Sequence, residues 1–307
     1  MSFPRLRIGT RGSPLALAQT HQVRAKLAHA HRVSEEAISV CVIRTTGDAI
    51  QDRPLAEAGG KGLFTKELDL ALLNDEIDLA VHSGKDIPTL IPDDLAIPGF
   101  LEREDVRDCF VSLTANSLED LPRAARVGTA SLRRAAQIKH KRGDLETPLL
   151  RGNVETRLRK LQAGEMDATL LALAGLKRLG LEAQATAILP TRDFLPAPGQ
   201  GAIGLMTRAD DPSTQDCVAP ILHEPTSRAV AAERAFLAAL DGSCRTSIAC
   251  LAEIGDGLLS LRGTVLRPDG SEAFDVQRSG PAADAVAIGE GAGRELLARL
   301  PAGVLAA

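Results

Sequence analysis

The feature that most restricts the fold of this chain is a repeat. Residues 7–19 read RIGTRGSPLALAQ and residues 126–137 read RVGTASLRRAAQ. Each runs from a short apolar strand through Gly-Thr into a small polar turn with a serine, and then into an Ala/Leu helix. Ser13 before Pro14 is an N-cap and first-turn pair, and Ser131 can cap the second helix in the same way. The segments downstream of the two units match as well. After the first unit come a β-like run at 38–44, a helix at 63–73 and a strand at 78–82; after the second come a strand at 147–151, a helix at 154–162 and a strand at 167–173. Alternation of strands and helices implies parallel sheets covered by helices. Its repetition predicts two similar α/β domains of about a hundred residues each.

Ligands of such sheets collect at the carboxyl ends of the strands, where helix N-termini offer free N–H groups. The polar residues concentrate there: Thr10 to Ser13, Thr45 to Asp48, His82 to Asp86, Thr129 to Ser131 with Arg133 and Arg134, and Arg151 to Asn153. An anion cleft between the two domains is the expectation. From about residue 224 the pattern changes to a helix with Val230, Phe236, Leu237 and Leu240 on its apolar side. Strand-like runs at 248–252, 258–266 and 273–278 come next, the last two joined by the turn Arg-Pro-Asp-Gly, and a helix near 283–300 ends the series. This is a small third domain of α+β type.

Composition limits the partners. With a formal net charge of -4 the chain has no global attraction for nucleic acid or an anionic membrane, so anion binding must come from local basic clusters. The opening MSFPRLRIGTRGSP lacks the apolar core of a signal peptide, and no run of about 18 apolar residues occurs, which points to the cytoplasm. His29 and His31 fall on different faces of a helix and no His-Glu-x-x-His is present, so a metal site has little support.

The five cysteines are odd in number and scattered, unlike a disulfide framework. Cys41 and Cys250 lie in apolar runs where a cysteine is usually a small buried hydrophobe. Cys244, in Leu-Asp-Gly-Ser-Cys-Arg-Thr, does not. Read locally, it has several explanations: a partly buried structural thiol, a redox thiol with Cys250 nearby, the nucleophile of a Cys-His hydrolase using His82, or a covalent tether for a cofactor. A cysteine phosphatase loop is disfavoured, because Arg245 is adjacent to the thiol instead of a few residues downstream.

Eight motifs taken in order bring a family into view: TRGSPLALAQ, GGKGLFTKEL, AVHSGKDIP, VGTASLRR, LRGNVETRLRKL, AGLKRLGL, LPAPGQGAIG and GSCRT. Together they closely resemble the motifs of the porphobilinogen deaminase (hydroxymethylbilane synthase) family over nearly the whole chain. The resemblance implies two periplasmic-binding-protein-like α/β domains facing a cleft, with boundaries at 1–101 plus 201–219 and at 102–200, and a small α+β domain at 220–307. It implies a monomer whose substrate is porphobilinogen. It implies that Cys244 carries a dipyrromethane through a thioether, onto which four porphobilinogen units are joined with loss of ammonia before water releases hydroxymethylbilane.

Matched motif by motif, the resemblance makes Asp86 the catalytic carboxylate, stabilising pyrrole-centred cations and moving protons. It assigns cofactor contacts to Lys85, Asp86, Ser13, Thr129, Ser131, Arg133, Arg134 and Gly152, and substrate contacts to Arg11, Arg151, Arg157, Arg178, Gln200 and Phe64. A chain of pyrroles bearing acetate and propionate groups calls for guanidiniums with bidentate geometry. Spacing alone leaves other readings: Arg133 and Arg134 could be solvated helix charges, Asp86 could only cap a turn before Pro88, and Phe64 could be core. Two positions depart from some family members, Glu57 for a lysine and Gly84 for a bulkier residue, the latter expected to loosen its turn. The competing class is a non-catalytic solute-binding or effector-sensing protein on the same paired domains.

Overall fold

The computed structural model describes residues 6–45, 65–241, 246–301 and 303–305. The expectations for Phe64, Glu57 and Cys244 concern residues outside that set. The strands in chain order are β1 Leu6–Arg11, β2 Ile38–Ile43, β3 Leu79–Ser83, β4 Leu95–Phe100, β5 Asp108–Ser112, β6 Val127–Gly128, β7 Ala168–Ala172, β8 Ala187–Ile188, β9 Ile203–Arg208, β10 Ile248–Gly255, β11 Leu258–Leu266 and β12 Ala273–Pro281. The helices are α1 Pro14–His31, α2 Lys66–Leu73, α3 Leu132–Lys141, α4 Val154–Gln162, α5 Leu173–Arg178, α6 Pro212–Val218, α7 Glu224–Ala239 and α8 Ala285–Arg299, with short 3-10 turns between them.

The repeat is real at the level of topology. The first sheet has the order β2-β1-β3-β9-β4 and the second β6-β7-β5-β8. A parallel bridge from Arg126 to Glu146 adds to the second sheet a segment in the place that β2 holds in the first. One expectation needs correction, because neither sheet is wholly parallel. β9 runs antiparallel between β3 and β4, and β5 runs antiparallel between β7 and β8. These two strands are the ones that come directly after a crossover between lobes. A chain arriving from the opposite lobe enters at the cleft, where the parallel strands end, and must run back along them.

Residues 147–151 are a second correction. They bond to β6 in strand fashion, Val127 N to Glu146 O at 2.8 Å and Thr129 N to Pro148 O at 3.0 Å. Pro148 has no N–H to return, so the pairing stays interrupted. Elsewhere the apolar periodicity places elements well. Leu6, Ile8, Leu79, Val81, Leu205 and Val23 fill one side of the first sheet, and Phe110, Val127, Ile138, Leu170 and Phe194 one side of the second.

The third unit is an antiparallel meander, β10-β11-β12, covered by α7 and α8. Phe236, Leu240, Leu259, Leu261 and Leu296 form its core. Glu233 on α7 is fully buried and fastens this unit to both crossovers: it accepts from Arg103 Nη1 and Nη2 at 2.7 and 3.0 Å, from Gly199 N at 2.7 Å and from Ala252 N at 2.8 Å. A buried carboxylate is tolerated only with such full satisfaction.

Candidate active site

The cleft ends of β1 and β3 build the first half of the site. Arg11 closes β1, Ser13 caps α1 by accepting from Ala16 N at 3.3 Å, and a 3-10 turn, Gly84–Asp86, succeeds β3. Arg11, Ser13, Gln19, His82, Ser83 and Asp86 line one concavity with Leu15, Ala16 and Val81. Asp86 Oδ2 stands 3.7 Å from Arg11 Nη1, with about a third of its side chain open to solvent, 30%. The carboxylate is thus charge-paired yet accessible. Among the described residues it accepts no backbone N–H, which removes the turn-cap reading. Gln19 and Ser83 were missed as site residues although both lie inside quoted motifs; the Gln19 amide donates to Ser83 Oγ at 2.9 Å and so fixes the rim of the concavity.

Gly84 is packed, not slack, which corrects the expectation of a loosened turn. Its N–H donates to Ala202 O at 2.8 Å, and a Cβ there would stand 2.8 Å from Gly199 O. Gly199 itself has φ +73°, the left-handed region that glycine enters without strain. Two glycines therefore let the turn before Asp86 press against the crossover that returns from the second lobe.

The second lobe contributes Thr129, Ser131, Arg133 and Arg134 at the start of α3. Thr129 Oγ1 accepts from Ser131 N at 3.1 Å, and Ser131 Oγ caps Arg134 N at 3.4 Å. Both arginines are buried, so neither is a solvated helix charge. They converge on Asp108, a fully buried residue that sequence reasoning missed. Arg133 Nη2 lies 2.8 Å from Asp108 Oδ2 and Arg134 Nη2 donates to Oδ1 at 2.7 Å. Gln200 Nε2 adds a 3.0 Å bond to Oδ1. Burial alone would raise the Asp108 pKa, but the two guanidiniums outweigh it and hold the carboxyl well below its ordinary range. Nothing in Asp-Cys-Phe-Val-Ser marks this aspartate except its place at a strand start.

Two guanidiniums on one carboxylate leave a surplus positive charge, and other cations add to it. Burial, then Arg134, pushes the Lys85 ammonium down to about 8, with Asp86 and Asp108 opposing the shift. Burial, then Arg134 and Arg151, pushes Arg157 down to about 10. Arg151 is buried, and Arg157 Nε donates to Gly152 O at 2.9 Å, holding that turn. Arg178 is directed elsewhere, with Nη2 donating to Gly201 O at 2.7 Å in the returning crossover. The structure thus gathers Arg11, Lys85, Asp86, Arg133, Arg134, Arg151 and Arg157 into one electrostatic neighbourhood, while Gln200 and Arg178 stand behind it as braces. Cations brought together in this way, several of them buried, are poised for an anionic ligand.

His82 beside this site is buried, and its Nε2 has no hydrogen-bond partner among the described residues. Burial, then Arg11, pushes its pKa down to about 4 from 6.5, so the imidazole is neutral and a weak base. A neutral, weakly basic imidazole counts against a Cys-His hydrolase that uses His82. The unfolded chain takes up a proton below pH 6.5 that the folded chain refuses until about pH 4, so this stability is present above the higher value and is lost as pH falls. Between about pH 7 and about pH 5 the loss is on the order of 2 kcal/mol. Denaturant titrations at both pH values are expected to show it in the parent protein and not in His82→Asn; equal slopes in the two would contradict the assignment.

Comparison with known proteins bears on the family of the chain. The family described as "Porphobilinogen deaminase, dipyromethane cofactor binding domain" matches residues 6–216, and "Porphobilinogen deaminase, C-terminal domain" matches residues 227–298. A porphobilinogen deaminase of Nitrobacter winogradskyi is 57% identical over 292 residues, covering 95% of this chain and 92% of the relative. A porphobilinogen deaminase of Paracoccus denitrificans is 52% identical over 297 residues, covering 97% and 95%. Matched in both its parts and sharing more than half of its residues with relatives of nearly equal length, the chain belongs to the porphobilinogen deaminase family.

Proposed function

We propose that this chain is the transferase of tetrapyrrole biosynthesis that joins four porphobilinogen molecules head to tail on a dipyrromethane held by Cys244 and releases hydroxymethylbilane. The observation that carries the reading is an accessible carboxylate, Asp86, set among cations contributed by both lobes. The domains are 1–101 with 201–219, 102–200 and 220–307, acting as a cytoplasmic monomer. No helix among the described residues is long and apolar enough to cross a membrane.

The residues present fit a polycarboxylate pyrrole. Arg133 Nε and Arg134 Nε are buried donors without partners among the described residues, in addition to the groups spent on Asp108. Lys85, Ser13, Thr129, Ser131, Arg133, Arg134, Asp86 and Gly152 are the groups that hold the dipyrromethane. When bound, that group supplies the pyrrole carbon on which the chain is extended. Arg11, Arg151 and Arg157 bind the acetate and propionate of incoming porphobilinogen, each charge-assisted bond being about twice as strong as a neutral one. Gln200 and Arg178 support substrate from the crossover side.

Asp86 faces the pyrrole of porphobilinogen. The aminomethyl nitrogen enters as an ammonium, so when the C–N bond breaks it leaves as neutral ammonia, taking the bonding electron pair, and the positive charge passes to the substrate ring. The fixed carboxylate stabilises that charge at no cost in reorganisation. Asp86 Oδ2 then receives the proton lost when the coupled ring regains aromaticity.

Intact-mass measurement tests the reading directly. Protein from a host that makes porphobilinogen is expected to exceed its sequence mass by one dipyrrole, and to gain further pyrrole increments when supplied with limiting porphobilinogen. A solute-binding protein would show the bare mass and reversible binding only.

A further inference from the structure

Helix α7 reaches beyond its own sheet at two consecutive residues. Glu233 ties the two crossovers together, and Arg234 reaches into the first lobe. Arg234 Nη2 donates to Pro88 O at 2.8 Å and Thr89 O at 3.2 Å, and Nη1 to Ile87 O at 3.3 Å. These three carbonyls are the ones directly after Asp86. The stretch 87–92, Ile-Pro-Thr-Leu-Ile-Pro, belongs to no helix or strand, and its two prolines have no N–H to offer. The partly buried Arg234 guanidinium donates to three successive carbonyls of this stretch at once. Burial lowers the Arg234 pKa, a sign that the fork is enclosed there and not lying in solvent.

The neighbours of this contact show what it transmits. Ahead of Asp86, Gly84 is pressed against Gly199; behind it, Ile87 is buried in the core and Arg234 holds the next carbonyls. Gly199 N is in turn bonded to Glu233. Both flanks of the Asp86 turn therefore lead to adjacent residues of α7, the helix that Cys244 follows in the sequence.

We infer that Arg234 is a positioning residue for the reaction, holding the backbone after Asp86 so that its carboxylate keeps a fixed place relative to the helix that leads to Cys244. The inference rests on the roles proposed above for those two residues. A lysine keeps the charge and the stem but cannot span three carbonyls as a planar fork does. Misplacement of a catalytic group by about 1 Å can cost on the order of a hundredfold.

Arg234→Gln and Arg234→Lys holoenzymes are to be compared with the parent by intact mass, steady-state kinetics well below the unfolding temperature, and hydrogen exchange of the 84–91 peptide. The dipyrrole adduct is expected in both variants, kcat is expected to fall by about tenfold or more in Gln and less in Lys with little change in KM, and exchange of the peptide is expected to rise in the same order. Should the Gln variant fail to fold, the Lys variant decides. A kcat within about twofold of the parent, a change confined to KM, or loss of the adduct from the variants would overturn the inference. Absence of the adduct from the parent protein would strike at the Cys244 reading instead.

Discussion

Asp86→Asn is expected to lower turnover by about a hundredfold or more while leaving the fold and the unfolding temperature close to those of the parent. The amide keeps the size of the side chain, yet it carries no charge to stabilise a pyrrole cation and accepts no proton. Asp86→Glu keeps the charge and displaces it by one methylene, so it is expected to retain measurable activity and to accumulate partly extended chains. A capping role would give the reverse order, since Asn caps almost as well as Asp. The structure already argues against capping, because the carboxylate meets Arg11 and no backbone N–H among the described residues. Single-turnover rates with thermal melts of both variants settle the order, and an active Asn variant beside a destabilised, inactive Glu variant would sink the catalytic role.

Cys244→Ser is expected to fold normally, to show the bare polypeptide mass and to have no detectable turnover. A hydroxyl at that site has no thiolate form with which to make the tether. Three of the four described cysteines are buried. Burial pushes Cys109 up to about 12, and it raises Cys217 and, well above its ordinary value, Cys250. Cys250 lies in the core of the third unit, the setting of a small buried hydrophobe. Normal product formation by the Ser variant, with no bound pyrrole, would refute the tether.

The elements that could be read from sequence are those whose own pattern settles them. Helix Val154–Gln162 and strand Leu258–Leu266 fall where the periodicity placed them, because each buries one face against its immediate surroundings. The turn residues Ser13 and Ser131 are legible for the same reason, as capping is local. The features that stayed hidden depend on distant partners. The antiparallel direction of β5 and β9 comes from where the chain re-enters a lobe, and no local pattern encodes that. Asp108 and Glu233 look like ordinary residues of a strand and a helix; only the fold brings Arg133, Arg134 and Gln200 to the first, and Arg103, Gly199 and Ala252 to the second. Gly84 was misread because its constraint is the backbone of residue 199, more than a hundred positions away.

The interleaving of the sheets also governs the order in which a nascent chain acquires structure. All strands of the second sheet lie between Asp108 and Ile188, so that lobe can close as soon as its own segment leaves the ribosome. The first sheet cannot. β9 stands between β3 and β4, and among the described strands β4 pairs with no other of that sheet. Until residues 203–208 emerge, the N-terminal lobe has β4 without a neighbour and an open edge on β3. Domains generally fold N-terminal first during synthesis; here the middle of the polypeptide is free to fold ahead of its beginning, and the amino-terminal lobe waits for a strand translated only after the whole of the second.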